Sequence, residues 1–140
     1  MHQRVLGPQK RAVSAIGLGC MGMSEFYGPR DDAGSMAVLH EAVARGIDFL
    51  DTADIYGPHH NEELLGQFLA ESGARVKIAT KCGIVRKPGE YARRIDNSPA
   101  HIRAACEASL RRLGVERIDL YYIHRVNPAQ PIEETMAADR

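Results

Sequence analysis

Side chains that can move a proton follow three apolar segments of the chain. The first segment ends at Asp51, with Tyr56 shortly after it, the second delivers Lys81, and the third delivers His124. Apolar runs that stop at polar residues are typical of buried strands that end in loops. A carboxylate, a phenol, an ammonium and an imidazole at neighbouring strand ends can belong to one site.

This set of side chains suits proton transfer to a carbonyl group. Hydride delivery to a carbonyl carbon leaves charge on the oxygen, so a proton donor must stand beside that oxygen. We predict that Tyr56 is this acid and base, because a nearby Lys81 ammonium would favour the phenolate form. Asp51 would keep Lys81 charged and oriented. A neutral His124 would hydrogen-bond the carbonyl oxygen and fix its angle to the hydride.

The elements that must position these groups alternate between strands and helices after a possible N-terminal hairpin. Four helices are predicted. The first follows Asp31-Asp32, and the second begins at Asn61 as a cap, with Glu62 and Glu63 in its first turn. The third runs from Ser98 to Gly114, and the fourth begins at Pro131 and is cut short at Arg140. Repeated β/α units imply a parallel sheet with right-handed crossovers. The stretch 83–97, which contains Pro88-Gly89 and several basic residues, is predicted to be an exposed loop.

The glycine-rich segment 17–23 contains a GxGxxG string, which invites a dinucleotide-binding interpretation. Such a loop must open a helix at once, and Tyr27-Gly28-Pro29 disfavours a helix there. A strand end whose backbone lies near a ligand is therefore the favoured interpretation. Cys20 and Cys82 border the proposed site and are predicted to be packing residues, whereas Met21 and Met23 would either line the pocket or fill the core.

Composition limits the class of protein. Lys plus Arg and Asp plus Glu each number 18, so the charge balance suggests neither nucleic acid nor an anionic membrane as a partner. Three scattered cysteines suit a reducing cytoplasm. His59-His60 with Asp51 and Asp54 could suggest a metal, but the helical histidine spacing of a metal site is missing, and no metal is predicted.

Four ordered motifs carry a resemblance to a known family. Gly17–Ser24, Asp51–Gly57, Ala79–Lys81 and Asp119–Arg125 resemble the corresponding motifs of the aldo-keto reductases, in the same order along the chain. The resemblance implies a (β/α)8 barrel that uses NADPH to reduce aldehydes and ketones.

The resemblance also implies roles for particular residues. It places the family's catalytic tetrad on Asp51, Tyr56, Lys81 and His124, and it makes a small carbonyl compound the expected substrate. It places cofactor contacts on Gly19, Cys20, Met21 and Gly22, with Asp51 near the nicotinamide. Some relatives have an acid at the position of His124 for carbon–carbon double-bond reduction, so the histidine favours carbonyl chemistry.

The chain is shorter than a complete barrel of this kind, which usually needs about 250 residues. Residues 1–140 are therefore expected to form an α/β half-barrel of about four strands, without a second domain, as a truncated product or a fragment. The family's later strands hold the nicotinamide and the cofactor phosphates, so weak or no NADPH binding is expected from this chain alone. Open strand edges would favour self-association. The alternatives are a non-catalytic nucleotide-sensing or assembly subunit on the same fold, or an inert remnant.

Overall fold

The computed structural model describes residues 1–87, 89–90 and 92–137, so the predictions for Pro88 and Arg140 lie outside the described residues. The strands are β1 Gln3–Leu6, β2 Arg11–Ser14, β3 Leu18–Gly19, β4 Phe49–Asp51, β5 Lys77–Cys82, β6 Ile84–Val85, β7 Arg94–Ile95 and β8 Leu120–Ile123. The α-helices are α1 Asp32–Ala44, α2 His60–Ser72, α3 Pro99–Leu113 and α4 Ile132–Met136.

A parallel sheet with strand order β3-β4-β5-β8 is the centre of the described part of the chain. The register aligns Leu18, Leu50 and Ile78 in one row across the sheet, and these side chains pack into the main core with residues of the helices. The next row contains Gly19 and Asp51 and faces the other way, because side chains alternate along a strand. One face of the sheet is therefore covered by helices, and the opposite face holds the polar groups.

The helices begin and end where local signals place them. Asp31 caps α1 by accepting from the amide of Gly34 at 2.9 Å, and Ser98 caps α3 by accepting from the amide of His101 at 3.3 Å. Gly114 ends α3 in the left-handed conformation, as predicted. These ends confirm the α-helices predicted after Asp31 and from Ser98 to Gly114.

Helices α2 and α3 pack closely on each other. A Cβ atom on Gly66 of α2 would lie 2.2 Å from the carbonyl oxygen of Arg112, so this contact requires a glycine. The fully buried Phe68 and Leu65 of α2 meet Leu113 of α3 in the same core cluster. Burial of these side chains contributes about 1.5–3 kcal/mol each to the stability of the fold.

The N-terminal hairpin is confirmed, with β1 and β2 antiparallel. It contacts the amino ends of the parallel strands. The amide of Ser14 donates to Asp48 just before β4 at 2.7 Å, and Arg11 pairs with Asp119 just before β8 at 2.8 Å. The hairpin thus lies at the end of the sheet away from Lys81.

Two predictions about the elements are wrong. Helix α2 begins at His60, one residue before Asn61, and its N-cap residue is His59, so Asn61 is not the cap. The stretch 83–97 is not simply an exposed loop, because β6 and β7 form an antiparallel pair in which Ile84 is buried. Within the described ranges, no helix has the length and apolar character that a bilayer crossing requires.

Candidate active site

Lys81, near the carboxyl end of β5, donates all three of its ammonium protons. Its Nζ lies 2.6 Å from Asp51 Oδ2, 2.7 Å from the carbonyl oxygen of Thr52 and 3.1 Å from Tyr56 Oη. A lysine has three donors and no acceptor, so each proton has a defined partner. Because β4 and β5 are neighbours in the sheet, the carboxylate and the ammonium meet at the same edge.

Tyr56 lies on the turn that follows β4 and is largely buried. Its hydroxyl oxygen accepts the hydrogen bond from Lys81, which leaves the phenol proton available for another acceptor. Gly57 follows with φ of +62°, a conformation that a side chain would strain, and this turn carries the chain away directly after the tyrosine. The Tyr56 ring packs edge-on against the His124 ring with centroids 5.7 Å apart.

His124 follows β8, and its backbone amide donates to the carbonyl oxygen of Cys82 at 2.8 Å. Its Nδ1 is buried and has no hydrogen-bond partner among the residues that the structure describes. Burial lowers the pKa of His124, and the charges of Lys81 and Arg125 lower it further. The imidazole is therefore neutral at neutral pH, which leaves it one N–H donor.

The four residues predicted to form the tetrad are thus connected in space. Lys81 contacts Asp51 and Tyr56, and Tyr56 contacts His124. The groups come from strands β4, β5 and β8, which are adjacent in the sheet. An arrangement of this kind can hold a phenol beside a cation and present its proton to a bound acceptor.

The glycine-rich segment offers only some of its predicted cofactor residues to a ligand. Gly19 is exposed, and a Cβ atom built on it meets nothing within 4 Å. Cys20 is fully buried, and burial together with the charge of Asp51 raises the pKa of its thiol to about 12. Its side chain therefore has no exposed atom for a cofactor contact. Gly22 is exposed and lies under the ring of Tyr27.

The two methionines of this segment have different environments. Met21 lines a cavity beside Tyr56, whereas Met23 packs against the main hydrophobic core. Residues 24–30, all of which are described, form bends and a turn rather than a helix. The dinucleotide-loop interpretation of the GxGxxG string is therefore not supported, as the sequence predicted.

Asn61 is a buried connecting residue. Its Nδ2 donates to the carbonyl oxygen of Cys20 at 2.8 Å and to Ser24 Oγ at 2.7 Å, and its Oδ1 accepts from Thr52 Oγ1 at 2.6 Å. These bonds fix the glycine-rich segment to the residue that follows Asp51. The sequence indicated a polar residue near a helix start, and only the tertiary structure shows that it faces inward.

A second polar cluster lies between the sheet and the helices. Glu62 is fully buried and accepts from Thr80 Oγ1 at 2.6 Å and from Arg112 Nη2 at 2.6 Å. Glu62 lies in the first turn of α2, as predicted, and the structure adds that it faces the interior. Asp54 is also buried; burial, reinforced by the charge of Glu62, raises its pKa to about 7, and Arg112 opposes this increase.

The histidines beside the site have structural partners. His59 Nδ1 is 2.9 Å from the carbonyl oxygen of Asp54, and His60 Nδ1 is 2.8 Å from Ser24 Oγ. In the part of the chain that the structure describes, no group of three or more His, Cys, Asp or Glu residues is placed to hold a metal ion.

A cavity of about 170 Å³ lies beside the tetrad, and most of its polar wall was missed by the sequence analysis. Tyr56 and His124 line it together with Glu25 and Arg86. The side chain of Arg86 is buried and pairs with Glu25 at 2.6 Å. No local sequence signal links these two residues, which are 61 positions apart.

A parallel β/α sheet with a cluster of ionisable side chains at the carboxyl ends of its strands defines an α/β protein with its candidate site where proteins of this architecture carry theirs. The sequence model of the aldo/keto reductase family matches residues 15–138, and the chain belongs to this family. Its members are oxidoreductases.

Solved structures agree with this assignment. The chain is similar to the aldo-keto reductase AKR11C1 from Bacillus halodurans in its holo form, with 36% identity, a TM-score of 0.88, and coverage of 99% of this chain and 45% of that one. It is similar to the glycerol dehydrogenase AKR11B4 from Gluconobacter oxydans, with 34% identity, a TM-score of 0.84, and coverage of 97% and 42%. The chain thus spans less than half the length of these relatives, and its α/β fold corresponds to part of theirs.

Proposed function

We propose that the protein reduces aldehydes or ketones to alcohols with NADPH and that Tyr56 is the general acid. The observation that carries this proposal is the bond from Lys81 Nζ to Tyr56 Oη at 3.1 Å, with Asp51 on the other side of the ammonium. Because Lys81 donates to the phenol oxygen, the phenol proton must point to a different acceptor. A substrate carbonyl oxygen in the adjoining cavity is such an acceptor.

Each residue of the tetrad then has a role that follows from its contacts. The Lys81 ammonium stabilises the negative charge that remains on Tyr56 after proton donation. Asp51 holds Lys81 in place through the 2.6 Å bond. Neutral His124, packed against the Tyr56 ring, donates a hydrogen bond that orients the carbonyl group.

The residues near the tetrad fit a nicotinamide cofactor at one side of the site. NADPH, when bound, would supply the hydride. The open surface over Gly19 lies in the same row of the sheet as Asp51, so a flat ring can approach the backbone there without a side-chain clash. Met21, Gly22 and Asp51 would complete this contact, and the buried thiol of Cys20 would support the segment from below.

The test is a Tyr56→Phe variant in a complete, competent enzyme that contains this chain. Phenylalanine keeps the packing on His124 and removes only the hydroxyl group. We expect kcat for carbonyl reduction to fall by about 10²–10⁴-fold, the usual contribution of a general acid, with a smaller change in KM. Tyr27→Phe is the matched control, because Tyr27 is 77% exposed and should keep full activity.

Full carbonyl turnover by Tyr56→Phe would disprove the acid assignment. NADPH consumption with a panel of aldehydes also separates the enzyme from a non-catalytic subunit of the same fold, since the subunit would show none. The readout is the loss of NADPH absorbance in the steady state.

A further inference from the structure

The cavity beside the tetrad has a strongly basic wall. In addition to Tyr56 and His124, it is lined by three arginines, Arg86, Arg93 and Arg125. Arg86 and Arg93 come from the segment of the β6–β7 hairpin, and Arg125 directly follows His124. A carbonyl group alone would gain little from so much positive charge.

The three arginines differ in their partners. Arg86 is neutralised by Glu25, and its Nη2 also donates to the carbonyl oxygen of Ile55 at 3.2 Å. Most other arginines in the described ranges also pair with a carboxylate, as Arg94 does with Asp96. Arg93 and Arg125 make no ion pair with any residue that the structure describes, although both are exposed at the cavity. The net charge of this wall is therefore positive.

The two arginines without carboxylate partners also lie near the reacting groups. The charges of Arg125 and Arg93 both act on the His124 imidazole and lower its pKa. The Arg93 guanidinium lies 6.0 Å from the centre of the Phe26 ring, which forms part of the same cavity wall. An aromatic ring beneath a guanidinium restricts its orientation without neutralising its charge.

We propose that the substrate carries an anionic group, a carboxylate or a phosphate, which Arg93 and Arg125 bind while its carbonyl group lies at Tyr56 and His124. This inference rests on the proposed function and names its substrate class. Guanidinium groups donate paired hydrogen bonds to both anions, and charge-assisted bonds of this kind are stronger than neutral ones. The cavity of about 170 Å³ between these arginines and the tetrad has room for a small anionic group.

The experiment measures binding, so that it does not depend on turnover. The 140-residue chain is titrated by NMR with alcohols that carry or lack the anion: 4-hydroxybutyrate against pentan-1-ol, and glycerol 3-phosphate against glycerol. We expect at least one anionic alcohol to bind about 10-fold or more tightly than its neutral partner. The two pairs distinguish carboxylate from phosphate. Added salt should reduce the preference, because both arginines are exposed.

Variants assign the preference to the two arginines. The Arg93→Gln/Arg125→Gln double variant should bind each anionic alcohol no better than its neutral partner. Arg94→Gln is the matched control, since Arg94 is a neighbouring exposed arginine that is paired with Asp96, and it should keep the preference. Circular dichroism checks that each variant is folded. Equal affinities in the unaltered chain, no binding of any of the four alcohols, or a preference that survives in the double variant would overturn the inference.

The outcome is separate from that of the proposed function. Tyr56→Phe removes the proposed acid but none of the arginines, so it should keep the binding preference. If the chain prefers the anionic alcohols but the complete enzyme that contains it reduces no carbonyl compound, the anion site is supported and the reductase assignment is refuted. A protein that reduces neutral aldehydes without any anion preference would show the reverse.

Discussion

Replacement of Arg112 by methionine would remove the cation that neutralises a buried acid. Glu62 is fully buried, and its Oε2 accepts from Arg112 Nε at 2.7 Å and from Nη2 at 2.6 Å. Asp54, a second buried acid, also interacts with this arginine. Methionine keeps much of the apolar stem of the side chain, so the variant tests mainly the charge.

The size of the effect follows from burial. Removal of one partner from a buried ion pair costs about 3–5 kcal/mol, because the remaining charge stays desolvated. The Arg112 side chain is 16% exposed, which favours the lower end of that range, about 3 kcal/mol. Arg111→Met is the matched control. Its side chain is 71% exposed and lies 3.9 Å from Glu107, so its loss should cost about 0–0.5 kcal/mol.

The assay is urea unfolding followed by circular dichroism at neutral pH, with the free energy of unfolding taken from linear extrapolation. If Arg112→Met loses no more stability than Arg111→Met, the buried-charge reasoning is refuted. Addition of Glu62→Gln to Arg112→Met should restore part of the loss. Glutamine is neutral there and can still accept the hydrogen bond from Thr80.

Three further predictions concern stability and association. The pKa of Asp54 is raised from 3.8 to about 7, so the stability that its protonated form contributes is fully present below about pH 4 and is lost as the pH rises through about 7. Asp54→Asn should therefore flatten the pH dependence of the unfolding free energy over that window. Asn61→Ala should cost about 1–3 kcal/mol and speed amide exchange in segment 17–24, because the buried carbonyl oxygen of Cys20 loses its donor. Unchanged exchange would contradict this. In the described part of the chain β3 and β8 are the edges of the parallel sheet, so sedimentation velocity should show concentration-dependent association that Tyr122→Lys weakens.

The order of the strands and helices could be predicted because its signals are local. The start of α3 is indicated by Ser98, a common N-cap residue, and by Pro99, which suits the first helical position. Its end is indicated by Gly114, which readily adopts the left-handed conformation. The polar residues after the strands could be predicted to lie together, because parallel strands have their carboxyl ends at the same end of the sheet. The connected positions of Asp51, Tyr56, Lys81 and His124 follow from that rule.

The remaining features depend on partners that are distant in sequence. A glutamate in the first turn of a helix, such as Glu62, has the same local sequence pattern whether it faces water or the interior. The burial of Glu62 depends on its ion pair with Arg112, 50 positions away. The burial of Arg86 likewise depends on Glu25, which lies on a bend just after the glycine-rich segment. The basic stretch 83–97, which contains a proline and glycines, was therefore interpreted as an exposed loop. Ile84, near its start, instead packs beside Tyr56.

Strand β5 couples the stability of the fold to the geometry of the site. Thr80 points toward the helices and donates to buried Glu62, whereas Lys81, the next residue, points to the opposite face and donates to Asp51. Side chains alternate along a strand, so a shift of one residue would move the lysine into the core and the threonine to the site. Glu62, paired with Arg112, accepts a hydrogen bond from Thr80 on the helix side and thereby supports the register, set by the ladders to β4 and β8, that presents Lys81 to Tyr56. Loss of Arg112 is therefore expected to reduce order at Lys81 as well as stability, although the hydrogen bonds and ion pairs of Arg112 within the described part of the chain reach Glu62 and Ser109 and none of the four tetrad side chains.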